Sequence, residues 1–297
     1  MTVLETASLT KRYGRITAVN ELNLSIPSGE VFGLLGPNGS GKTTTLGMVL
    51  GVIRPTLGNF TWFDGISGSS ARKKVGAILE QPIFYPHLSG AQNLKIAAKI
   101  KEKGLDRIDE VLQFVGLGER GRDPFKNYSL GMKQRLAIAS ALVADPDVLI
   151  LDEPTNGLDP EGIHDIRRLI TEIAASGKTI ILASHLLDEV QKVCSEYAVL
   201  QSGKCIHKGN VAADLAGNGG WELASEDLDA LQAALSETSF VKGIKPTDNA
   251  FLVQIDPSIS GSEINKSMMD KGLILSQLAE RRNTLEEKFL ELLKSQS

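Results

Sequence analysis

The sharpest chemical signal in the chain is Gly36-Pro37-Asn38-Gly39-Ser40-Gly41-Lys42-Thr43, which fits the spacing G-x-x-x-x-G-K-[ST] of a phosphate-binding loop, or Walker A motif. Glycines at these places let backbone N–H groups turn inward around the β- and γ-phosphates of a nucleotide without Cβ clashes. Lys42 would add a full positive charge to those phosphates, and the Thr43 hydroxyl would ligate Mg²⁺. A helix predicted from Thr44 to Leu50 would add the positive end of its dipole. A second signal ends an apolar run, Val148-Leu149-Ile150-Leu151-Asp152-Glu153. There Asp152 is placed to hold the Mg²⁺ shell, and Glu153 to orient or deprotonate an attacking water. The plainer reading of the two acids is a strand that ends in solvated carboxylates.

Such residues need rigid elements beneath them. Continuous apolar runs at 30–36, 75–80, 147–154 and 178–184 cannot be half-solvated, so they read as strands buried on both faces of a parallel sheet. Helical stretches between them imply right-handed crossovers and an α/β layered fold. The pattern changes after Gly217-Asn218-Gly219-Gly220. A strand at Trp221–Ser225 precedes a helix with Leu228, Leu231 and Leu235 on one face. Two further strands flank a hairpin loop at Lys245–Asn249, and a helix over 262–271 has Gly272 as its C-cap. Leu273-Ile274-Leu275 opens another strand. Thr284 and Glu287 form a capping box for a last helix with Leu285, Phe289, Leu292 and Leu293 as its apolar stripe. The order β-α-β-β-α-β-α predicts a small ferredoxin-like α+β module at 218–297.

Bulk properties exclude other classes. At 297 residues the chain has room for about two domains. Its hydrophobic content of 42% and charged content of 23% are those of a globular protein, neither disordered nor fibrous. A net charge of −4 argues against a nucleic-acid partner. No uncharged stretch approaches the roughly 20 residues of a membrane-spanning helix. The N-terminus carries no targeting signal, and Cys194 and Cys205 form no metal or disulfide framework. These features predict a cytosolic chain with reduced thiols.

Directly after Glu153 the chain reads Pro154-Thr155-Asn156-Gly157-Leu158-Asp159-Pro160, and with the phosphate loop this run resembles the nucleotide-binding domain of an ABC transporter. Other elements follow in the family's order over roughly residues 1–215. Tyr13 matches the aromatic that stacks on adenine. Gln81 matches the Q-loop glutamine that reaches Mg²⁺ and the attacking water. Ser129-Leu130-Gly131-Met132-Lys133-Gln134-Arg135 matches the signature segment, Asp159 the D-loop aspartate and His185 the switch histidine. Taken singly these are weak: Tyr13 reads as a packing aromatic, Gln81 as a solvated loop residue and His185 as a structural histidine.

The resemblance implies a P-loop ABC cassette over residues 1–217, with a parallel-sheet core, an antiparallel β subdomain and a helical subdomain at about 85–145. It implies an ATPase in which Lys42, Gln81, Glu153 and His185 are catalytic. Residues Gly36 to Thr44, with Tyr13, would bind the nucleotide, and Thr43, Gln81 and Asp152 would hold Mg²⁺. Ser129, Gly131 and Asp159 would reach the ATP of an opposed copy in a head-to-tail homodimer that ATP closes and hydrolysis opens. A separate multi-span permease would then place the chain on the cytoplasmic side, peripheral to the cell membrane's inner face. Pro82, Phe84, Tyr85, Pro86 and Leu88 either cradle a coupling helix of that permease or pack within the helical subdomain.

The family signature is Leu-Ser-Gly-Gly-Gln, and this chain has Tyr128-Ser129-Leu130-Gly131-Met132. Leu130 and Met132 either loosen the ATP clamp or mark a subfamily. Tyr-Ser-x-Gly-Met-x-Gln-Arg is similar to a variant in drug, peptide-antibiotic and lipid exporters, which favours export. The alternative is an ABC ATPase without a permease, acting on nucleic acid or ribosome. Such proteins usually carry a coiled-coil insertion, a second cassette or basic arms, and none is visible in this sequence.

Overall fold

The computed structural model describes residues 1–66, 68–80, 83–216, 220–256, 258–281 and 284–294. It divides into two compact units, Met1–Val211 and Ala212–Ser297.

The first unit begins with two long strands, β1 (Thr2–Tyr13) and β2 (Ile16–Pro27), then β3 (Val31–Leu35) and helix α1 (Lys42–Val49). Next come β4 (Leu57–Trp62), α2 (Gly68–Lys73) and β5 (Val75–Ile78). Helices α3 (Gly90–Lys101), α4 (Ile108–Phe114) and α5 (Leu130–Leu142) form a helical insertion. The chain then returns through β6 (Val148–Asp152), α6 (Pro160–Ala175), β7 (Thr179–Ser184), α7 (Leu187–Val193), β8 (Glu196–Gln201) and β9 (Lys204–Asn210).

Every residue of β3, β6 and β7 is buried, as continuous apolar strands must be when both sheet faces are covered. They lie in a six-stranded sheet of order β5-β6-β7-β3-β8-β9, parallel except for the β8–β9 pair. Leu35 pairs with Ser184 and Asp152 with Ala183, so β3, β6 and β7 end at the same edge. That is the carboxyl edge where open α/β sheets bind ligands. A separate antiparallel sheet, β2-β1-β4, shares one apolar core with the main sheet. Leu9, Leu22 and Trp62 from the former lie in it with Leu34, Leu46 and Ile150 from the latter layers.

The second unit contains most of α8 (Val211–Ala216), then β10 (Gly220–Ser225), α9 (Leu228–Ser236), β11 (Val241–Pro246) and β12 (Phe251–Ile255). It ends with α10 (Gly261–Asp270), β13 (Leu275–Arg281) and α11 (Leu285–Lys294). Its sheet is antiparallel, in the order β11-β12-β10-β13, the ferredoxin-like arrangement expected from the sequence. Alternate residues Phe251, Val253 and Ile255 meet Leu231, Leu235, Ile264 and Met268 in its core. Thr284 and Glu287 make the expected capping box, and Leu285 is buried. Leu292 and Leu293, predicted to extend the apolar stripe, have side chains outside those described.

One expectation fails here: β13 starts at Leu275, not at Leu273. Gly272 adopts φ +79°, and the Leu273 amide is spent on the Met268 carbonyl (3.0 Å) in closing α10. Ile274 is left exposed.

Candidate active site

The loop from Gly36 to Gly41 links β3 to α1 and is closed to side chains at its two ends. A Cβ at Gly36 would lie 2.3 Å from the Leu200 carbonyl oxygen, and one at Gly41 2.5 Å from that of Ala18. Gly41 also adopts φ +107°, which favours glycine. Pro37, Asn38 and Gly39 are exposed at the tip, whereas Ser40 is buried. Lys42 opens α1 and folds back over the loop. Its Nζ donates to the Gly36 carbonyl (2.7 Å) and more distantly to that of Pro37 (3.4 Å).

Beside the loop, β6 delivers two carboxylates with different surroundings. Asp152, 1% exposed, accepts a hydrogen bond from the Thr43 hydroxyl at Oδ2 (2.7 Å), while its Oδ1 is buried without a hydrogen-bond partner. Burial pushes this carboxyl above its ordinary pKa, the Thr43 bond opposes the shift, and the Glu153 charge adds to it. Glu153 leaves the strand: its φ is +50°, held by its amide donating to the Ala183 carbonyl (2.9 Å). This bend carries its carboxylate to Lys42 Nζ (3.3 Å) and to His185 Nδ1 (2.8 Å). The backbone N–H of His185 points to the same oxygen (3.4 Å). Lys42, Thr43, Asp152, Glu153 and His185 are thereby brought into one cluster from the ends of three neighbouring strands.

The charge on Asp152 opposes folding at neutral pH. Its folded pKa lies above the unfolded value, so stability falls as pH rises between the two and stays lower above them. In metal-free buffer, Asp152→Asn is expected to raise the melting temperature by a few degrees and to abolish ATP turnover. A lowered melting temperature would show that Lys42 and Thr43 already compensate the charge.

A cavity of about 640 Å³ opens on this cluster, lined by Thr43, Asp152 and Glu153 together with Leu79, Glu80, Ile83, Leu130, Gln134, Asn156 and Gly157. Gln81 and Pro82 lie outside the described residues. Glu80, Gln134 and Asn156 were not singled out as site residues in the sequence, although each adjoins or lies within a motif there. Leu130 stays 48% exposed beside Gly157, where an added Cβ would lie 3.3 Å from Leu130 Cδ2.

The remaining candidates do not line that cavity. Ser129 is the exposed N-cap of α5, accepting from the Met132 amide (3.3 Å), and a Cβ at Gly131 would meet nothing within 4 Å. Asp159 is the exposed N-cap of α6, accepting from Gly162 (2.9 Å). Tyr13 ends β1 with an exposed ring and Lys11 Nζ 4.9 Å from its centroid.

Residues 19–156 match the ABC transporter family. Over 297 aligned residues the chain is 36% identical to the bacitracin transport ATP-binding protein BcrA of Enterococcus faecalis, covering 98% of this chain and 96% of that protein. The chain belongs to the ABC transporter ATP-binding subunits. The lantibiotic transport ATP-binding protein SrtF of Streptococcus pyogenes is 40% identical over 205 residues, covering 69% of this chain and 89% of that one. Among solved structures, a dimeric ATP-binding cassette in a post-hydrolysis state, bound to ADP and Pi, superimposes with a TM-score of 0.64 at 26% identity. That match covers 70% of this chain and 98% of the other. As an ABC ATPase the chain hydrolyses ATP to power transport. Among the described residues, no helix of this ABC subunit is long and apolar enough to cross a membrane.

Proposed function

We propose that this chain is the Mg²⁺-dependent ATPase of an exporter, working as a head-to-tail homodimer on the cytoplasmic face of a membrane beside a separate multi-span permease. The observation that carries the chemistry is the Glu153 carboxylate, held between Lys42 and His185 next to the Thr43–Asp152 pair. Export is supported by the relatives, which are named for transport of bacitracin and of a lantibiotic.

The loop amides and Lys42 bind the β- and γ-phosphates. Glu153 aligns a water in line with the γ-phosphorus and takes its proton as the new P–O bond forms and the bond to the β-phosphate oxygen breaks. His185 Nδ1 holds the carboxylate in that orientation. The donor set suits Mg²⁺: a hydroxyl, and a buried carboxylate with one oxygen left unpartnered. Thr43 and Asp152 would hold it, with Gln81 as a further ligand, and when bound it neutralises charge on the phosphates. Tyr13 offers its exposed ring to adenine. Ser129, Gly131 and Asp159 do not line their own chain's cavity and would meet the ATP of a partner subunit. In this reading residues 1–217 are the cassette and 218–297 an accessory domain.

The permease would dock beside the segment after Gln81. Asn93 pins that segment, its Oδ1 accepting from the Tyr85 amide (2.9 Å) and its Nδ2 donating to the Tyr85 carbonyl (3.2 Å). Ile83 (93% exposed) and Tyr85 (61%) are presented outward, whereas the Phe84 ring packs edge-on against Phe125 at 5.1 Å. Tyr85→Ala should therefore weaken co-purification with the permease without altering stability. Phe84→Ala should lower stability by about 1–3 kcal/mol through lost packing. Equal loss of stability in both variants would count against docking at Tyr85.

The whole reading is tested by pull-down of the Glu153→Gln variant with ATP from detergent-solubilised membranes. A stoichiometric multi-span protein is the expected result. Ribosomal or DNA-associated partners alone would overturn the partnership with a permease.

A further inference from the structure

The mechanism leaves one shielded ion pair unused. Arg167 on α6 meets Glu189 on the first turn of α7, with Nε 3.3 Å from Oε2 and a closer bond from the second prong to Oε1. The side chains are 23% and 10% exposed, so the pair is largely screened from water. Replacing such a pair with apolar residues is often neutral or stabilising, so a two-pronged pair is better evidence of fixed geometry than of stability.

That geometry leads to the active site. Glu189 is four residues beyond His185, and the extended N-cap Leu186 alone separates the histidine from α7. The Leu186 amide donates to Ser184 Oγ (3.0 Å), leaving this connection little slack. On its other flank α7 presses on β3, the strand that leads to the phosphate loop. A Cβ at Gly33 would lie 2.7 Å from Val190 Cγ1 and 3.2 Å from Cys194 Sγ. With that flank fixed, the Arg167–Glu189 bond is placed to fix the rotation of α7, from whose N-terminus the chain runs back through Leu186 to His185. Arg167 also sits on the helix capped by Asp159.

We infer that Arg167 and Glu189 are positioning residues for the switch histidine, joining the helix that follows the D-loop to the His185–Glu153 contact. This rests on the roles proposed above for Glu153 and His185. The test compares kcat and KM for ATP of the full chain with those of Glu189→Gln, His185→Ala and the double variant. Glu189→Gln should lower kcat by about 10- to 100-fold, as displaced catalytic geometry does, with KM nearly unchanged. In the His185→Ala background the same change should have no further effect. A charge swap, Arg167→Glu with Glu189→Arg, should recover part of the loss. If Glu189→Gln does not fold, Arg167→Lys carries the same test, because it keeps the charge and loses the fork. An unchanged kcat in Glu189→Gln, or an equal loss with and without His185, overturns the positioning role alone. An unchanged kcat in His185→Ala overturns the histidine's role and this inference with it.

Discussion

Replacing Glu153 with glutamine should cut ATP turnover by about 10²–10⁴-fold, the range that a general base contributes, while ATP still binds. Glutamine matches glutamate in shape and can still accept a hydrogen bond from His185 Nδ1, which lies 2.8 Å from the carboxylate. It cannot take a proton from water, and it removes the negative partner of Lys42. The ammonium is then left wholly to the phosphates and the loop carbonyls. ATP-bound dimers should accumulate, because closure needs the nucleotide whereas release needs its hydrolysis. Phosphate release measured beside fluorescent-nucleotide binding, with light scattering for the dimer, checks each part. Turnover within threefold of the parent would place the general base elsewhere.

Lys42→Ala is expected to act earlier, on binding itself. The side chain is buried, and its Nζ is held 2.7 Å from the Gly36 carbonyl at the mouth of the loop. Its loss removes charge-assisted hydrogen bonds to the β- and γ-phosphates, about 1.5–3 kcal/mol, or roughly 10- to 150-fold in ATP affinity. It also leaves the Glu153 carboxylate without its cation close to where the γ-phosphate must sit, which adds repulsion to the loss. Turnover should be undetectable even at saturating ATP, since the same charge stabilises the transferring phosphoryl group. Equilibrium dialysis with labelled ATP, with circular dichroism to verify the fold, measures this directly. An affinity within threefold of the parent would mean that the backbone amides suffice.

Features that depend only on neighbours along the chain are legible in the amino-acid order. The phosphate loop is one contiguous segment whose glycines answer a local steric demand, so it could be read from composition and spacing. β3, β6 and β7 were legible because a strand covered on both faces must be apolar throughout. The capping boxes at Ser260–Glu263 and Thr284–Glu287 are local pairings of the same kind.

Features that depend on which strands become neighbours emerge only in the assembled fold. That Asp152 meets Thr43, 109 positions away, follows from a sheet order in which β7 lies between β3 and β6. No local pattern encodes that order. The bend at Glu153 is held by a hydrogen bond from its backbone N–H to the Ala183 carbonyl on the adjacent strand, so it too awaited the assembled sheet. Phe84 and Tyr85 are both aromatic and adjacent, and only the position of Phe125 assigns one to packing and the other to the surface. Arg167 and Glu189 read in sequence as ordinary charges on two helices. They become a shielded pair because α6 and α7 pack side by side, and burial is a property of the folded chain alone.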